Sequence, residues 1–590
     1  MHATSATTVE PAPRFELTFF LRQFLLPAAF LVGTPFPLYL LVQFKTGDAL
    51  DVVLLVLVWL VALVCYWLPV GALLFAWRGG WLSRFVVGYL VSIPCYYLTV
   101  FLGLRLLTLS FLPQSLAFHG SKWEQWVAFS YATPTFYLMV LVFYLLVRQG
   151  RRLARVFQAL AVAGLCLSVI STAVLAARVD SYRWPAVSSA RVDIVNSKIV
   201  DTAEGRLIEG QDVLVENGKI ARIVGASADT SSWSKVDARG GYLVPGLIDV
   251  HVHFQSVSRS ILSAQRGFDF PYFLDAMLEQ YAPERREFLE KGITAIRCLG
   301  GPAESMYEIR GEVAQHRLLG PRIFAAGRLV TSPEGHPAST IWPREITRQG
   351  AILASTPENL IAGLEENYRE GPPDAVKFIY GTIGLAHESI SKELLDRGIA
   401  WASSKHLASV VHVETAQEAS EAVEAGATGI EHVATLEQMP EELVAAMVAH
   451  HTFADPTFGE YKTALTLRNV SPSEIAARMP EKYAFIRRLD AAGVPLTIGT
   501  DAPLVEFGNG YDDELEEFAR AGFGAAQILK FATINNAAYL GKAGELGRIA
   551  DGYDAAMLLV RENPLADVGA LRKPEWVMID GQIVTGKAGR

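Results

Sequence analysis

Six residues with metal-ligand side chains lie at the ends of β-like runs: His251 and His253 in DVHVHF, Lys377 in DAVKFI, His412 in VVHVE, His432 in GIEHV and Asp501 in IGTDA. Imidazole, amine and carboxylate groups gathered in one place can hold divalent ions and move protons. The HxH pair alone says little, because alternation along a strand puts both imidazoles on one face by default. Six such residues at five strand ends, in this order, are hard to obtain by chance. They imply a (β/α)8 barrel with a two-metal hydrolytic site at its C-terminal mouth, where barrel enzymes gather their catalytic residues.

The elements needed to position these residues are visible around them. Strands ending near His253, Leu299, Val330, Tyr380, Val413, Val433, Thr457 and Ala502 alternate with helical runs such as PEELVAAMVAH and EKYAFIRRLDAAG. Eight strand-and-helix units over this length match a closed α/β barrel better than an open sheet. The β-rich runs RVDIVNSKIV, DVLVENGKIARIV and GGYLVPGLI come before the barrel, and AAMLLV and WVMIDGQIVTG come after it. This pattern predicts one small β-sandwich built from both flanks, 191–245 and 545–590, around a barrel at 246–544.

A chain of 590 residues is too long for one core. Hydrophobic residues reach 51% and charged residues only 19%, unusual for a soluble enzyme. The excess sits between 17 and about 177. Apolar runs at 24–44, 52–77, 85–104, 126–147 and 156–177 each reach the roughly 20 residues a membrane span needs. Residues 1–180 are therefore expected to form an all-α, five-helix transmembrane region in a lipid bilayer. Arg14, Arg22, Arg78, Arg84, Arg148, Arg151, Arg152 and Arg155 mark the cytoplasmic side, by the preference of basic residues for cytoplasmic loops. A multi-pass cell-membrane protein results, with a cytoplasmic N-terminus and an extracytoplasmic, periplasmic hydrolytic half. No span carries an acidic residue near its centre, so the region reads as an anchor rather than an ion path. The net charge of −9 gives no reason to expect nucleic-acid binding. Four cysteines without a CxxC support neither a disulfide framework nor a structural zinc site.

The runs VENGKIARI, LVPGLIDVHVHF, KGITAIRCLG, GPRIFAAGRLV, DAVKFI, GIEHV, IGTDAP, FATINNAAYLG and LGRIADG together resemble the amidohydrolase superfamily. Among its branches, the prolidase-like and imidazolonepropionase-related metal-dependent hydrolases are the most similar. The resemblance spans roughly 192–584, includes every ligand motif and does not reach the first 180 residues. Two positions depart from the family pattern: Ala556, where an Asp is common, and Cys298, where RDLGG is common. Neither belongs to the ligand set, so both bear on local packing.

His251 and His253, on one strand face, can reach a single metal. The resemblance implies that His412 and His432 bind a second. It also implies that Lys377 reacts with CO2 to form a carbamate, an anionic oxygen ligand bridging the two. A buried cationic lysine is costly unless neutralised or paired, and the alternative is an ammonium paired with Asp374 or another acid. Asp501 would ligate the first metal and carry the proton of the attacking water to the leaving group. His336, in TSPEGHP, resembles a histidine placed beside the substrate carbonyl; the alternative is a solvent-facing loop histidine. Two divalent ions, with zinc expected for nitrogen and oxygen ligands around open positions, would acidify a bridging water to a hydroxide that attacks a carbonyl.

The reading that follows is a membrane-anchored binuclear hydrolase of small molecules, cleaving an amide-type bond in a dipeptide, N-acyl amino acid or cyclic amide. Lactone and ester carbonyls satisfy the same chemistry. Deaminases on this barrel often carry HxxE at strand five, but the third residue after His412 is Thr415. A catalytically idle receptor or scaffold would be expected to have lost a ligand. The pocket would be formed by loops after the strands, including 255–277 with Arg259 and Arg266. Glu514, beyond the eighth strand, has no assigned role, and no residue pattern specifies the substrate or the oligomeric state.

Overall fold

The computed structural model describes residues 191–253, 281–342, 344–382 and 386–586, with Trp184 and scattered positions between 70 and 95. The chain divides into two compact units, Met1–Arg183 and Trp184–Arg590. All elements below belong to the second.

The five runs read as membrane spans fall outside the described residues, apart from those scattered positions. Among the described residues no helix is long and apolar enough to cross a membrane. The expectation of a multi-pass membrane protein with an extracytoplasmic hydrolase is thereby corrected. Hydropathy reads composition alone, whereas a span also needs one continuous apolar helix of about 20 residues. The helix Pro472–Ala492 has the length, with 21 residues, but carries Glu474, Arg478, Arg487 and Asp490.

Seven strands open the second unit: β1 (Arg191–Val195), β2 (Lys198–Asp201), β3 (Arg206–Ile208), β4 (Gln211–Glu216), β5 (Lys219–Gly225), β6 (Ser234–Asp237) and β7 (Tyr242–Pro245). The barrel supplies β8 (Leu247–Val252), β9 (Ile293–Cys298), β10 (Arg322–Ala325), β11 (Leu329–Thr331), β12 (Ala351–Leu353), β13 (Ala375–Ile379), β14 (Ala408–His412), β15 (Gly429–Glu431) and β16 (Phe453–Asp455). The chain then returns through β17 (Met557–Val560), β18 (Trp576–Ile579) and β19 (Gln582–Gly586).

Two sheets form the sandwich, β5-β4-β1-β6 and β19-β18-β17-β7-β2-β3. Early and late strands join where β7 pairs antiparallel with β17, Tyr242 against Val560. Alternation turns Val192, Ile194, Val213 and Val215 inward against Leu243, Met557, Leu559 and Trp576, and these side chains form the sandwich core.

In the barrel, β10-β9-β8 and β11-β13-β14-β15-β16 are parallel ladders. The Asp374 amide donates to Ala325 O at 2.8 Å and joins β10 to β13. Segment 496–502 closes the ring through parallel bridges from Leu496 to Ala454 and from Ala502 to Val252. Both β8 and β9 are buried along their whole length, which is why they read as near-continuous apolar runs.

The third strand differs from expectation, because the barrel stave β10 stops at Ala325 rather than near Val330. Gly327 is left-handed (φ 68°), and a Cβ there would stand 2.1 Å from Tyr307 Oη. That turn offsets β11, which pairs with β12 and touches β13 at Phe378. Cys298, the residue that departs from the family pattern, is fully buried in the barrel core.

Candidate metal centre

The ligand-type residues converge at the C-terminal ends of the staves. β8 carries His251, fully buried, with His253 one residue beyond the strand. The Asp501 Oδ1 atom stands 3.3 Å from His251 Nε2 and 3.2 Å from His253 Nε2. Lys377 Nζ, on β13 and 1% exposed, is 3.4 Å from His251 Nε2. The His432 ring centroid is 4.9 Å from that of His251 and 4.3 Å from that of His412. The structure thus brings together all six residues read from the strand ends. His336 is placed more loosely, its ring centroid 6.4 Å from that of His412.

These distances fit divalent ions. A tetrahedral ion with ligands at about 2.0–2.1 Å spaces its ligand atoms about 3.3–3.4 Å apart. A direct charge-assisted bond from imidazole to carboxylate would be shorter, about 2.7–2.9 Å. The ligand atoms of His251, His432 and Asp501, all buried, lie within 4.8 Å of one another.

The Nδ1 atoms are occupied in a way that leaves Nε2 available. His251 Nδ1 lies 2.5 Å from Glu431 Oε2, His253 Nδ1 3.2 Å from Gly300 O, and His432 Nδ1 2.8 Å from Thr457 Oγ1. When Nδ1 donates to such an acceptor, Nε2 keeps its lone pair for a metal. Burial lowers the His251 imidazole to about 3, with Lys377 adding to the effect, and takes His412 well below its ordinary value. Neutral imidazole is the form that ligates. Burial acts to raise the Asp501 carboxyl, but His251, His253 and His432 outweigh it and hold the group ionised. Burial also lowers the Lys377 amine. One alternative partner for Lys377 is engaged elsewhere: Asp374 pairs with Arg310 at 2.7 Å and accepts the Ala325 amide.

Backbone geometry explains how adjacent residues serve both layers. His432 (φ 63°), Thr457 (φ 46°) and Asp501 (φ 58°) are left-handed at the ends of their staves. Non-glycine residues rarely adopt this conformation, and such strain collects at functional sites. At His432 it breaks strand alternation, so Glu431 reaches His251 from below while His432 reaches the site itself.

A family model for the amidohydrolase family matches residues 242–584. The chain belongs to the amidohydrolase family. An uncharacterized protein of Mycobacterium tuberculosis is 25% identical over 392 residues, covering 62% of this chain and 90% of its own length. The ochratoxinase of Aspergillus niger is 23% identical over 435 residues, covering 66% of this chain and 85% of its own. The crystal structure of a Xaa-Pro dipeptidase with bound methionine superposes with a TM-score of 0.58 at 22% identity, over 67% of this chain and 99% of that one.

Beneath the ligands this amidohydrolase carries a buried polar layer that the strand-end reading missed. Glu431 Oε1 accepts from Tyr539 Oη at 2.6 Å and lies 3.6 Å from an Arg297 guanidinium nitrogen. The Arg297 guanidinium sits 3.8 Å over the Tyr539 ring and donates to Val250 O. Burial pushes Asp455 well up, reinforced by Glu431, while His251, Lys377 and Arg297 outweigh burial and hold Glu431 well down. Asp249 accepts from Thr500 Oγ1 at 2.7 Å and from the His251 amide, and burial raises it to about 7. Alternation gave a signal for Asp249, two residues before His251. Nothing gave Arg297 or Tyr539, which act from other staves and from the helix Asn536–Tyr539. Segment 255–277, with Arg259 and Arg266, lies outside the described residues.

Tyr539→Phe tests this layer. Removing the hydroxyl leaves a buried carboxylate one donor short, so the variant is expected to lose about 1–3 kcal/mol of unfolding free energy. Chemical denaturation reads it, and an unchanged midpoint would remove the hydroxyl from the network.

Proposed function

We propose that this amidohydrolase is a binuclear metal-dependent hydrolase of an amide-type bond in a small molecule: a dipeptide, an N-acyl amino acid or a cyclic amide. The observation that carries the reading is the convergence of His251, His253 and Asp501 at metal-ligand spacing, with Lys377, His412 and His432 beside them. The first metal would be held by His251, His253 and Asp501. The second would be held by His412 and His432, with Lys377, as a carbamate, between them. When bound, such ions polarise a carbonyl and acidify water.

The chain's own residues do the rest. Asp501 takes the proton of the attacking water and returns it to the leaving nitrogen. His336 has its Nδ1 2.7 Å from Thr340 Oγ1. With that hydroxyl donating, Nε2 bears the proton and can donate to the substrate oxygen. Burial lowers this imidazole to about 3, against the opposing charge of Asp501, so it works as a neutral donor.

Names carried by similar proteins, a Xaa-Pro dipeptidase and an ochratoxinase, agree with a hydrolase. Deamination is disfavoured because Thr415, at the place of the proton-handling Glu, caps the helix Ala416–Glu424 by accepting the Glu418 amide. An idle scaffold has no need of so complete a ligand set.

Elemental analysis of protein purified without chelator is expected to find close to two equivalents of divalent metal, zinc first. Near-zero metal with retained turnover would sink the proposal. Parallel assays on dipeptide, N-acyl-amino-acid and lactone libraries separate amide from ester substrates.

A further inference from the structure

Among the described helices whose N-cap is Ser or Thr, four follow one rule. Thr356, Ser391, Thr415 and Ser471 each occupy the N-cap and accept a backbone amide from their own helix. The helix Phe458–Leu467 breaks the rule. Its N-cap is Thr457, which makes no side-chain cap bond and stands left-handed (φ 46°, ψ 55°). The Thr457 hydroxyl is turned instead to His432 Nδ1, at 2.8 Å. The amides this leaves open are taken by Glu514, from the helix Asn509–Arg520. Phe458 N donates to Oε1 at 2.7 Å and Gly459 N to Oε2 at 2.9 Å. Glu514 is 1% exposed, and one turn on, Glu517 ties the same two helices together through Lys462 at 2.9 Å.

We propose that Glu514 is a positioning residue: by capping the helix Phe458–Leu467 in place of Thr457, it frees the Thr457 hydroxyl to orient His432. The inference rests on the metal-centre reading above, in which His432 is a ligand through Nε2. A carboxyl group that takes two amides at a helix N-terminus satisfies two open donors. It therefore removes the incentive for Thr457 to relax to an ordinary capping conformation. The orientation matters because the same His432 nitrogen has a second acceptor nearby. Glu460 Oε2 lies 3.6 Å away, buried and without a hydrogen-bond partner of its own. If Thr457 turned back to cap its helix, Nδ1 would follow Glu460 and the ring would leave its present direction.

Glu514→Gln keeps the shape but offers one carbonyl oxygen to two amides and faces the other with an NH2 group. Cobalt(II) titration of the purified, metal-stripped protein is expected to show one of its two sites weakened by about 10–100-fold, the usual range for groups that orient ligands. Thr457→Val should weaken the same site, and Thr457→Ser should recover most of that loss. The double variant E514Q/T457V should be no worse than T457V, because both changes remove one coupling. Glu517→Gln serves as the structural control and should lower the melting temperature without a selective loss at one site.

The imidazole 15N shifts of His432 in metal-free protein provide a readout independent of the metal. They should move in E514Q and T457V alike. Absence of cobalt binding to wild type would defeat the metal reading, and the shifts would still decide the role of Glu514. Folded E514Q with unchanged cobalt affinity and unchanged His432 shifts would overturn the proposal, as would strictly additive losses in the double variant. If E514Q does not fold, Glu514→Asp, too short to reach both amides, is read in the same way.

Discussion

Lys377→Ala is expected to empty the metal centre. The residue is 1% exposed, its Nζ stands among ligand atoms, and burial favours the neutral amine. A neutral amine is the form that can add CO2, and under the proposed reading the carbamate would supply the negative oxygen that four imidazoles and one carboxylate leave wanting. An ammonium held by Asp374 conflicts with the engagement of Asp374 by Arg310 and the Ala325 amide, while Glu431, Asp501 and Asp455 are the other acids that favour the charged form. Without the bridge, metal content should fall below one equivalent. Turnover should drop by at least about 10³-fold, since metal polarisation is worth several kcal/mol. Short-chain carboxylic acids that fit the vacated space should restore part of both. Full metal content and turnover in K377A would end the carbamate reading.

Asp501→Asn separates binding from proton transfer. The side chain keeps its size and an oxygen, so metal should remain largely bound. The amide cannot accept the water proton, and kcat is expected to fall by about 10²-fold or more, with a smaller change in KM. In the structure Oδ1 stands 3.3 and 3.2 Å from the Nε2 atoms of His251 and His253, so under the proposed reading one atom would serve both ligation and the proton path. Near-wild-type turnover in D501N would move the search for the base to His336.

Much of this centre could be read from the chain because strands present their ends in a fixed order and direction. A histidine or lysine closing an apolar run points into the mouth of a barrel, whatever the intervening helices do. The layer below was not readable for the converse reason. His432 reaches the same side as Glu431 because it is left-handed, where alternation would have sent the two neighbours to opposite faces. Arg297 and Tyr539 meet across more than 200 positions of sequence, through a cation-to-ring contact that leaves no local pattern. Gly499, two residues before Asp501, gives no sign in the sequence of what it packs against. A Cβ there would stand 2.2 Å from Asp455 Oδ2 and 2.5 Å from His251 Cβ, so the glycine is a demand of packing.

The pairing of β7 with β17 sets a timetable for synthesis. β7 leaves the ribosome before the whole barrel, and its partner only after it. At about 5–20 residues per second, the roughly 300 intervening residues take about 15–60 s to make. Through that interval Leu243 and Val244, fully buried in the finished protein, belong to a strand with one bare edge. An open apolar edge invites pairing with another chain. Nascent chains halted before residue 557 should therefore be the aggregation-prone species, and chaperone occupancy should fall once β17 emerges.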